Sequence, residues 1–208
     1  YKRFPQGILL GSETASTVSS RGIYKFPVKE YKDKTYDDLQ SSSYDLEACN
    51  WSNIPEVDFE MQDDKPWVIG EFVWTGFDYL GEPTPYWWPS RSSYFGIIDL
   101  AGFPKDVYYM YQSEWTNKDV LHLFPHWNWQ PGQVVDLWVY YSNADEVELF
   151  LNGKSLGKKS KQGEELHLVW KVPFEAGTVK AVSRKAGKVV LEKEIKTAGT
   201  ATQLVAKA

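Results

Sequence analysis

Cysteine and histidine are scarce in this sequence of 208 residues. The single cysteine, Cys49, excludes an internal disulfide bond and a metal site built from several thiolates. The three histidines, His122, His126 and His167, have a spacing that matches no metal-ligand motif. The sequence therefore predicts no metal site, and none of its motifs calls for a cofactor.

Positive charge and long apolar runs are also limited. The sequence has 23 Lys and Arg against 28 Asp and Glu, which gives a net charge of −5. This balance provides no basic surface for nucleic acid. No stretch approaches the roughly 20 consecutive apolar residues of a membrane-spanning helix. We expect neither a nucleic-acid partner nor a membrane span.

Aromatic residues are abundant, at 16% of the chain, and ten of them are tryptophan. Many lie in Pro- and Gly-rich surroundings, in "PTPYWWPSRSSYFG" (83–96) and "FPHWNWQPG" (124–132). Core packing accounts for about half of the tryptophans, because this residue is mostly buried. Flat aromatic faces beside hydrogen-bonding groups also suit sugar stacking and protein interfaces. For "FPHWNW" we favour packing against the preceding domain over sugar stacking.

Two patterns meet near residue 118. In residues 1–117, "GILLGSE" and "KPWVIGEFVWTGF" are continuous apolar runs that predict strands covered on both faces, as in parallel sheets. We expect the first strand to end at Gly11 and Ser12, with Glu13 at its exit. Residues 34–51 have a weak helical pattern, and residues 104–115 have an apolar face at helical spacing. This order of strand, helix, strand, helix predicts an α/β fold.

Residues 118–198 have an all-β pattern. Turn signals at Asn152–Gly153 and Ala186–Gly187 separate short strands, which predicts a β-sandwich. The predicted strands cover residues 134–142, 146–151, 166–172, 178–184 and 188–196. Residues 199–208 are small and polar, and we expect a tail or linker.

The α/β part is too short to close a parallel sheet. A complete (β/α)₈ barrel needs about 250 residues, whereas two strands and two helices are predicted here. We therefore expect the end of a barrel whose earlier strands are not in this sequence.

Catalytic groups of such barrels lie at the carboxyl ends of the strands. Glu13 is placed there after the first strand, and Glu71, Trp74, Asp78 and Glu82 lie on or after the second. Glycoside hydrolysis needs two carboxyl groups beside aromatic and hydrogen-bonding side chains. Because side chains alternate along a strand, Glu71 points away from the face that Trp74 uses. Glu71 is therefore expected to be structural or to support the site from behind.

Two motifs carry a family resemblance. "GSETASTVSSRGIY" and "GEFVWTGFDYLGEPTPYWWPSRSSYFGIIDLAGFPKDVYYMYQSEW" resemble glycoside hydrolase family 2, in particular the β-galactosidase-like group common in gut Bacteroidetes. "NADEVELFLNGKSLG" is similar to the domain that follows the barrel in these enzymes. The resemblance implies that residues 1–117 end the catalytic (β/α)₈ barrel and that residues 118–198 form an immunoglobulin-like β-sandwich.

The resemblance also implies a retaining mechanism with Glu13 as the nucleophile and Trp74 as the floor of the sugar site. The family's acid/base glutamate follows an asparagine, and no Asn-Glu pair occurs here. We therefore expect this chain alone to be inactive. Two roles are left open for Asp78, namely organising its loop and contacting the substrate. The other candidate substrate contacts, for which loop packing is an equal alternative, are Tyr79, Glu82, Trp87, Trp88 and Arg91.

The expected partners are an oligosaccharide or polysaccharide substrate and the remainder of the same enzyme, with a homo-oligomer left open. Family members of this type act on β-galactosides, β-glucuronides and other β-linked sugars, and a bacterial periplasmic or secreted location is expected. The alternative is a non-catalytic carbohydrate-binding or scaffolding module, which the aromatic loops and the single candidate carboxylate favour.

Overall fold

A computed structural model describes residues 2–3, 5–63 and 65–205 of the chain. The chain divides into two compact units. The first contains the described residues of Tyr1–Gln112 together with Gln162–Leu166, and the second contains those of Ser113–Lys161 and His167–Ala208. The predicted boundary was at residue 117. Residues 206–208 of the predicted tail lie outside the described part.

The described residues are mostly β-structure with two helices. In chain order the elements are β1 (Leu9–Ala15), β2 (Tyr31–Lys32), β3 (Glu47–Ala48), α1 (Pro55–Gln62), β4 (Val68–Trp74), α2 (Asp106–Trp115), β5 (Leu121–Phe124), β6 (Val134–Tyr141), β7 (Glu146–Leu151), β8 (Lys154–Lys159), β9 (Leu168–Pro173), β10 (Thr178–Lys185) and β11 (Lys188–Lys196). Neither helix, nor any other described segment, forms an apolar helix long enough to cross a bilayer.

In the first unit, β1 and β4 pair in parallel, as predicted, and β2 pairs with β3. The prediction that the first strand ends at Gly11 and Ser12 is wrong, because pairing continues as far as Ala15 opposite Trp74. The first helix is α1, and it begins with Pro55 at its amino-terminal turn. Residues 34–51, which have the weak helical pattern, instead form turns and β3. Asp and Ser side chains in that stretch compete for backbone hydrogen bonds and so favour turns.

The second unit contains two antiparallel sheets, with strand orders β5-β6-β9 and β11-β10-β7-β8. Strand β5 contacts β11 and β10, and both sheets contribute fully buried residues, such as Leu137 and Leu149. Asn152–Gly153 and Ala186–Gly187 have positive φ angles and join β7 to β8 and β10 to β11. These are the two turns that the sequence predicted.

The "FPHWNW" segment packs within its own unit. Trp127 is fully buried, its ring lies 5.1 Å from that of Phe174, and its Nε1 donates to the carbonyl of Glu175 at 2.8 Å. These contacts lie within the tryptophan's own unit, so packing of this segment against the preceding domain stays a prediction. The exposed ring of His126 stacks on Trp129 with a centroid distance of 4.5 Å.

Candidate active site

Glu13 lies on β1, two residues before its carboxyl end, and its side chain is exposed. The pairing of β1 with β4 is irregular here, since the register shifts between Gly11 and Thr14. Ala15 lies opposite Trp74, and side chains alternate along each strand. The negative charge of Glu13 also raises the pKa of Tyr79, which accepts a hydrogen bond from Nε1 of Trp74, so Glu13 lies on the side of the sheet that Trp74 uses. This is the arrangement required of a reacting carboxylate beside an aromatic platform.

On the opposite face of the sheet, a second carboxylate, that of Glu71, links the two strands. The Oγ1 atom of Thr14 donates a hydrogen bond to Oε2 of Glu71 at 2.5 Å, across the two strands. Glu71 is thus engaged behind the strand that carries Glu13, as the alternation argument predicts for a supporting residue. The sequence offered no signal for its partner Thr14, because the contact joins residues 57 positions apart.

A hydrogen-bond chain orients Trp74. Its Nε1 donates to the Oη of Tyr79 at 3.0 Å, and the rings meet edge to face at 5.9 Å. The Tyr79 hydroxyl in turn donates to the carboxylate of Glu82. Burial raises the pKa of Tyr79 to about 12, and the negative charges of Glu82 and Glu13 contribute. The phenol therefore keeps its proton at neutral pH and is available as a donor.

Asp78 organises the loop after β4. Its carboxylate accepts from Nζ of Lys105 at 2.9 Å and from the backbone N–H of Gly96 at 2.8 Å. Lys105 also donates to the carbonyls of Ser19 and Tyr94. Burial raises the pKa of Asp78 and lowers that of Lys105, and their mutual attraction opposes both shifts. Of the two interpretations left open for Asp78, these contacts favour loop organisation.

Trp87 and Trp88 are largely solvent-exposed, at 77% each. The guanidinium of Arg91 lies 4.7 Å from the centre of the Trp88 ring, within cation–π range. A cleft of about 520 Å³ lies beside this loop. Arg91 and Asp78 line the cleft, whereas Glu13 and Trp74 do not. The structure thus brings Glu13, Trp74, Tyr79 and Glu82 into one neighbourhood, and puts Arg91 on a separate polar surface.

Metal ligands are not gathered at this site. Across the residues that the structure describes, no three His, Cys, Asp or Glu side chains come together in a way that holds a metal ion. Cys49 is buried, and burial raises the pKa of its thiol to about 12. It therefore remains a neutral thiol at physiological pH.

Comparison with known proteins identifies relatives over almost the whole chain. A family model described as a domain of unknown function, DUF4982, matches residues 132–191. The β-galactosidase BoGH2A of Bacteroides ovatus is 53% identical over 209 aligned residues, covering 97% of this chain and 25% of that protein. The chain thus spans about a quarter of the length of this relative.

Solved structures give the same result. A β-glycosidase from Bacteroides vulgatus matches with a TM-score of 0.78 and 33% identity, covering 92% of this chain and 27% of that one. A glycosyl hydrolase family 2 member from Bacteroides cellulosilyticus matches with a TM-score of 0.64 and 27% identity, covering 96% and 23%. Sequence and fold therefore agree with the two motifs around Glu13 and Trp74, and the chain belongs to glycoside hydrolase family 2.

Proposed function

We propose that this chain is part of a retaining β-glycosidase that hydrolyses terminal β-galactosides or related β-glycosides, with Glu13 as its nucleophile. The observation that carries the proposal is the placement of Glu13 and Trp74 on one face of adjacent parallel strands, near their carboxyl ends. The name of the relative at 53% identity, a β-galactosidase, supports the choice of sugar.

The first unit is proposed to be the end of the catalytic (β/α)₈ barrel. Strands β1 and β4 are parallel; α1 follows β1 after the short strands β2 and β3, and α2 follows β4. Several apolar side chains on these strands, together with Ile8 directly before β1, are strongly exposed, from 46% to 68% for Ile8, Leu9, Leu10, Ile69 and Phe72. Exposed apolar patches of this kind mark a surface that another part of the protein covers. The remaining barrel strands of the same enzyme are the proposed cover.

The second unit is proposed to be the immunoglobulin-like β-sandwich that follows the barrel. It has a three-stranded and a four-stranded antiparallel sheet, and the chain passes from one sheet to the other after β6, after β8 and after β9. This arrangement suits that architecture. The unit is assigned a structural role.

The proposed reaction has two steps. The Glu13 carboxylate attacks the anomeric carbon while the glycosidic C–O bond breaks, and the leaving oxygen takes a proton from an acid/base carboxyl group outside this chain. Water then attacks the same carbon, loses its proton to that group and releases Glu13. Trp74 supplies the apolar floor on which the sugar ring lies, and Tyr79 and Glu82 fix its orientation.

Replacement of Glu13 in the full-length protein tests the proposal. Glu13→Gln should abolish turnover of an aryl β-galactoside, because an amide does not form the covalent intermediate. Glu13→Gly with added azide should yield the α-glycosyl azide, a product specific to loss of the nucleophile. The matched control is Glu60→Gln, which changes an exposed carboxylate on α1. Near-normal turnover by Glu13→Gln would remove Glu13 from the mechanism, and a preference for an aryl β-glucuronide would reassign the sugar.

Carbohydrate binding without catalysis is the second candidate function, and the exposed Trp87 and Trp88 favour it. Calorimetry with β-linked oligosaccharides on this chain alone distinguishes the two. Binding that Trp87→Ala and Trp88→Ala abolish would support a binding module. If the isolated chain binds no oligosaccharide and the full-length protein is active, the result would support the glycosidase proposal.

A further inference from the structure

We propose that Thr14 and Glu71 are positioning residues that set the direction in which Glu13 points. The inference rests on the proposed function, because it concerns the orientation of the proposed nucleophile. Neither residue is placed in contact with substrate. Their effect passes through the backbone of β1.

The first support is the contact itself. Thr14 directly follows Glu13, but the two side chains meet different neighbours. The charge of Glu13 raises the pKa of Tyr79, the partner of Trp74, whereas Thr14 binds Glu71, whose charge raises the pKa of Asp58 on α1. The Thr14 hydroxyl is held by the Glu71 carboxylate at 2.5 Å, and this bond joins β1 to β4. A hydrogen bond to an ionised group is stronger than one between neutral groups. Fixing Thr14 on one face therefore limits the rotation of the peptide that carries Glu13 on the other.

The second support is the irregular register. Gly11 lies opposite Glu71 and Thr14 lies opposite Val73, so three steps along β1 match two steps along β4. One extra residue in one of two paired strands defines a β-bulge. A bulge changes the direction of a side chain and disrupts the backbone hydrogen bonds between the strands. Glu13 lies inside the bulge. The side-chain bond from Thr14 to Glu71 thus provides a link between the strands where the backbone pairing is interrupted.

The third support is tight packing beneath the bulge. A Cβ atom built on Gly11 would lie 2.6 Å from Cγ2 of Thr14 and 3.1 Å from Cβ of Glu71. The side chains of Thr14 and Glu71 therefore occupy the space that this glycine leaves. Such packing restricts the χ1 rotamer of Thr14, which directs its hydroxyl to Glu71.

Asp58 of α1 adds to the electrostatic setting. Burial raises its pKa, the charge of Glu71 raises it further, and the backbone N–H of Ala15 lowers it. Ala15 and Ser16 follow the bulge with φ angles of 59° and 57°, in the left-handed region that non-glycine residues rarely adopt. Asp58 and Glu71 therefore contact the two residues that directly follow Glu13, Asp58 through the Ala15 N–H and Glu71 through the Thr14 hydroxyl.

Substitution of Thr14 in the full-length enzyme tests the proposal. Thr14→Val keeps the shape and removes the donor, whereas Thr14→Ser keeps the donor and serves as the conservative rescue. The rate of covalent inactivation by a 2-deoxy-2-fluoro-β-galactoside reports nucleophilic attack directly. We expect Thr14→Val to lower that rate and kcat by roughly 10- to 100-fold, the effect of about 1 Å of misplacement. KM should change by less than about threefold if substrate contacts are unaffected.

Thr14→Ser should stay within about threefold of the wild type by the same reasoning. Equal losses in Thr14→Val and Thr14→Ser, or a normal inactivation rate in Thr14→Val, would overturn the proposal. If Thr14→Val does not fold, the pair Glu71→Gln and Glu71→Met decides. Glutamine keeps an acceptor oxygen and should retain most activity, whereas methionine should lose it, and equal activities of the two would refute the role. Failure of this inference leaves Glu13→Gln inactive, whereas failure of the proposed function leaves it active.

Discussion

The Nζ atom of Lys105 lies 2.9 Å from the carboxylate of Asp78, and the side chains of the two residues are 1% and 10% exposed. Lys105→Met removes the cation and leaves a buried carboxylate that still accepts from the Gly96 N–H but has lost its opposite charge. Breaking a buried pair in this way costs about 3–5 kcal/mol. We expect a loss of that size in the free energy of unfolding, measured by chemical denaturation.

Two further variants check this explanation. In Lys105→Met/Asp78→Asn the buried charge is gone, so the double variant should be more stable than Lys105→Met alone. The control pair is Lys158–Glu146, whose side chains are 51% and 28% exposed. Lys158→Met should cost less than about 1 kcal/mol, as for surface ion pairs. Equal losses in Lys105→Met and Lys158→Met would contradict the role of burial.

Gly96 and Gly76 form a matched pair in the loop after β4. A Cβ on Gly96 would lie 2.0 Å from the Asp78 nitrogen and 2.4 Å from the Phe77 carbonyl carbon, both backbone atoms that cannot move aside. A Cβ on Gly76 meets nothing within 4 Å. Gly96→Ala should therefore destabilise the protein by about 3 kcal/mol or more, and Gly76→Ala should be nearly neutral. Similar melting temperatures for the two variants would refute this argument.

Local sequence chemistry predicted the parts of the fold that depend on neighbouring residues. Asn152–Gly153 and Ala186–Gly187 adopt the positive φ angles that their turns require. Alternation along β4 was enough to separate Glu71 from the face of Trp74. These features follow from φ preferences and from the two-residue period of a strand.

Contacts between distant residues could not be predicted in the same way. Lys105 lies in the segment 104–115, for which the sequence predicted only a helix, yet it binds Asp78, 27 positions away, and Ser19, 86 positions away. The extension of β1 beyond Gly11 likewise depends on pairing with β4 rather than on local preference. Tertiary contacts decide such features, and the conformational preferences of neighbouring residues do not predict them.

Glu47 provides a pH-dependent test of burial. It is 3% exposed and accepts hydrogen bonds from the Tyr36 hydroxyl at 2.7 Å and the Ser42 N–H at 3.0 Å. Burial raises the pKa of Glu47 above its usual value, and the two hydrogen bonds oppose the shift. Because the folded form then holds its proton more tightly, this stabilisation is complete at low pH. It is lost as the pH rises from the ordinary glutamate pKa of about 4.3 through the raised value.

Glu47→Gln removes this titration. The stability of the variant relative to the wild type should therefore increase as the pH rises through that window, as measured by denaturation at several pH values. Tyr36→Phe removes a hydrogen bond that lowers the Glu47 pKa, so it should extend the window to higher pH. Parallel stability curves for wild type, Glu47→Gln and Tyr36→Phe would show that Glu47 does not titrate in this way.

Tyr79→Phe tests the hydrogen-bond chain beside the proposed sugar site. The variant removes the acceptor of the Trp74 Nε1–H and the donor to Glu82. One such bond contributes about 0.5–1.5 kcal/mol, so substrate binding should weaken by roughly 2- to 10-fold, seen as a higher KM of the full-length protein for an aryl β-galactoside. Tyr94→Phe is the matched control, because the Tyr94 hydroxyl bonds instead to Leu39 and Ser90. An equal rise in KM for both variants would mean that Tyr79 does not act through Trp74.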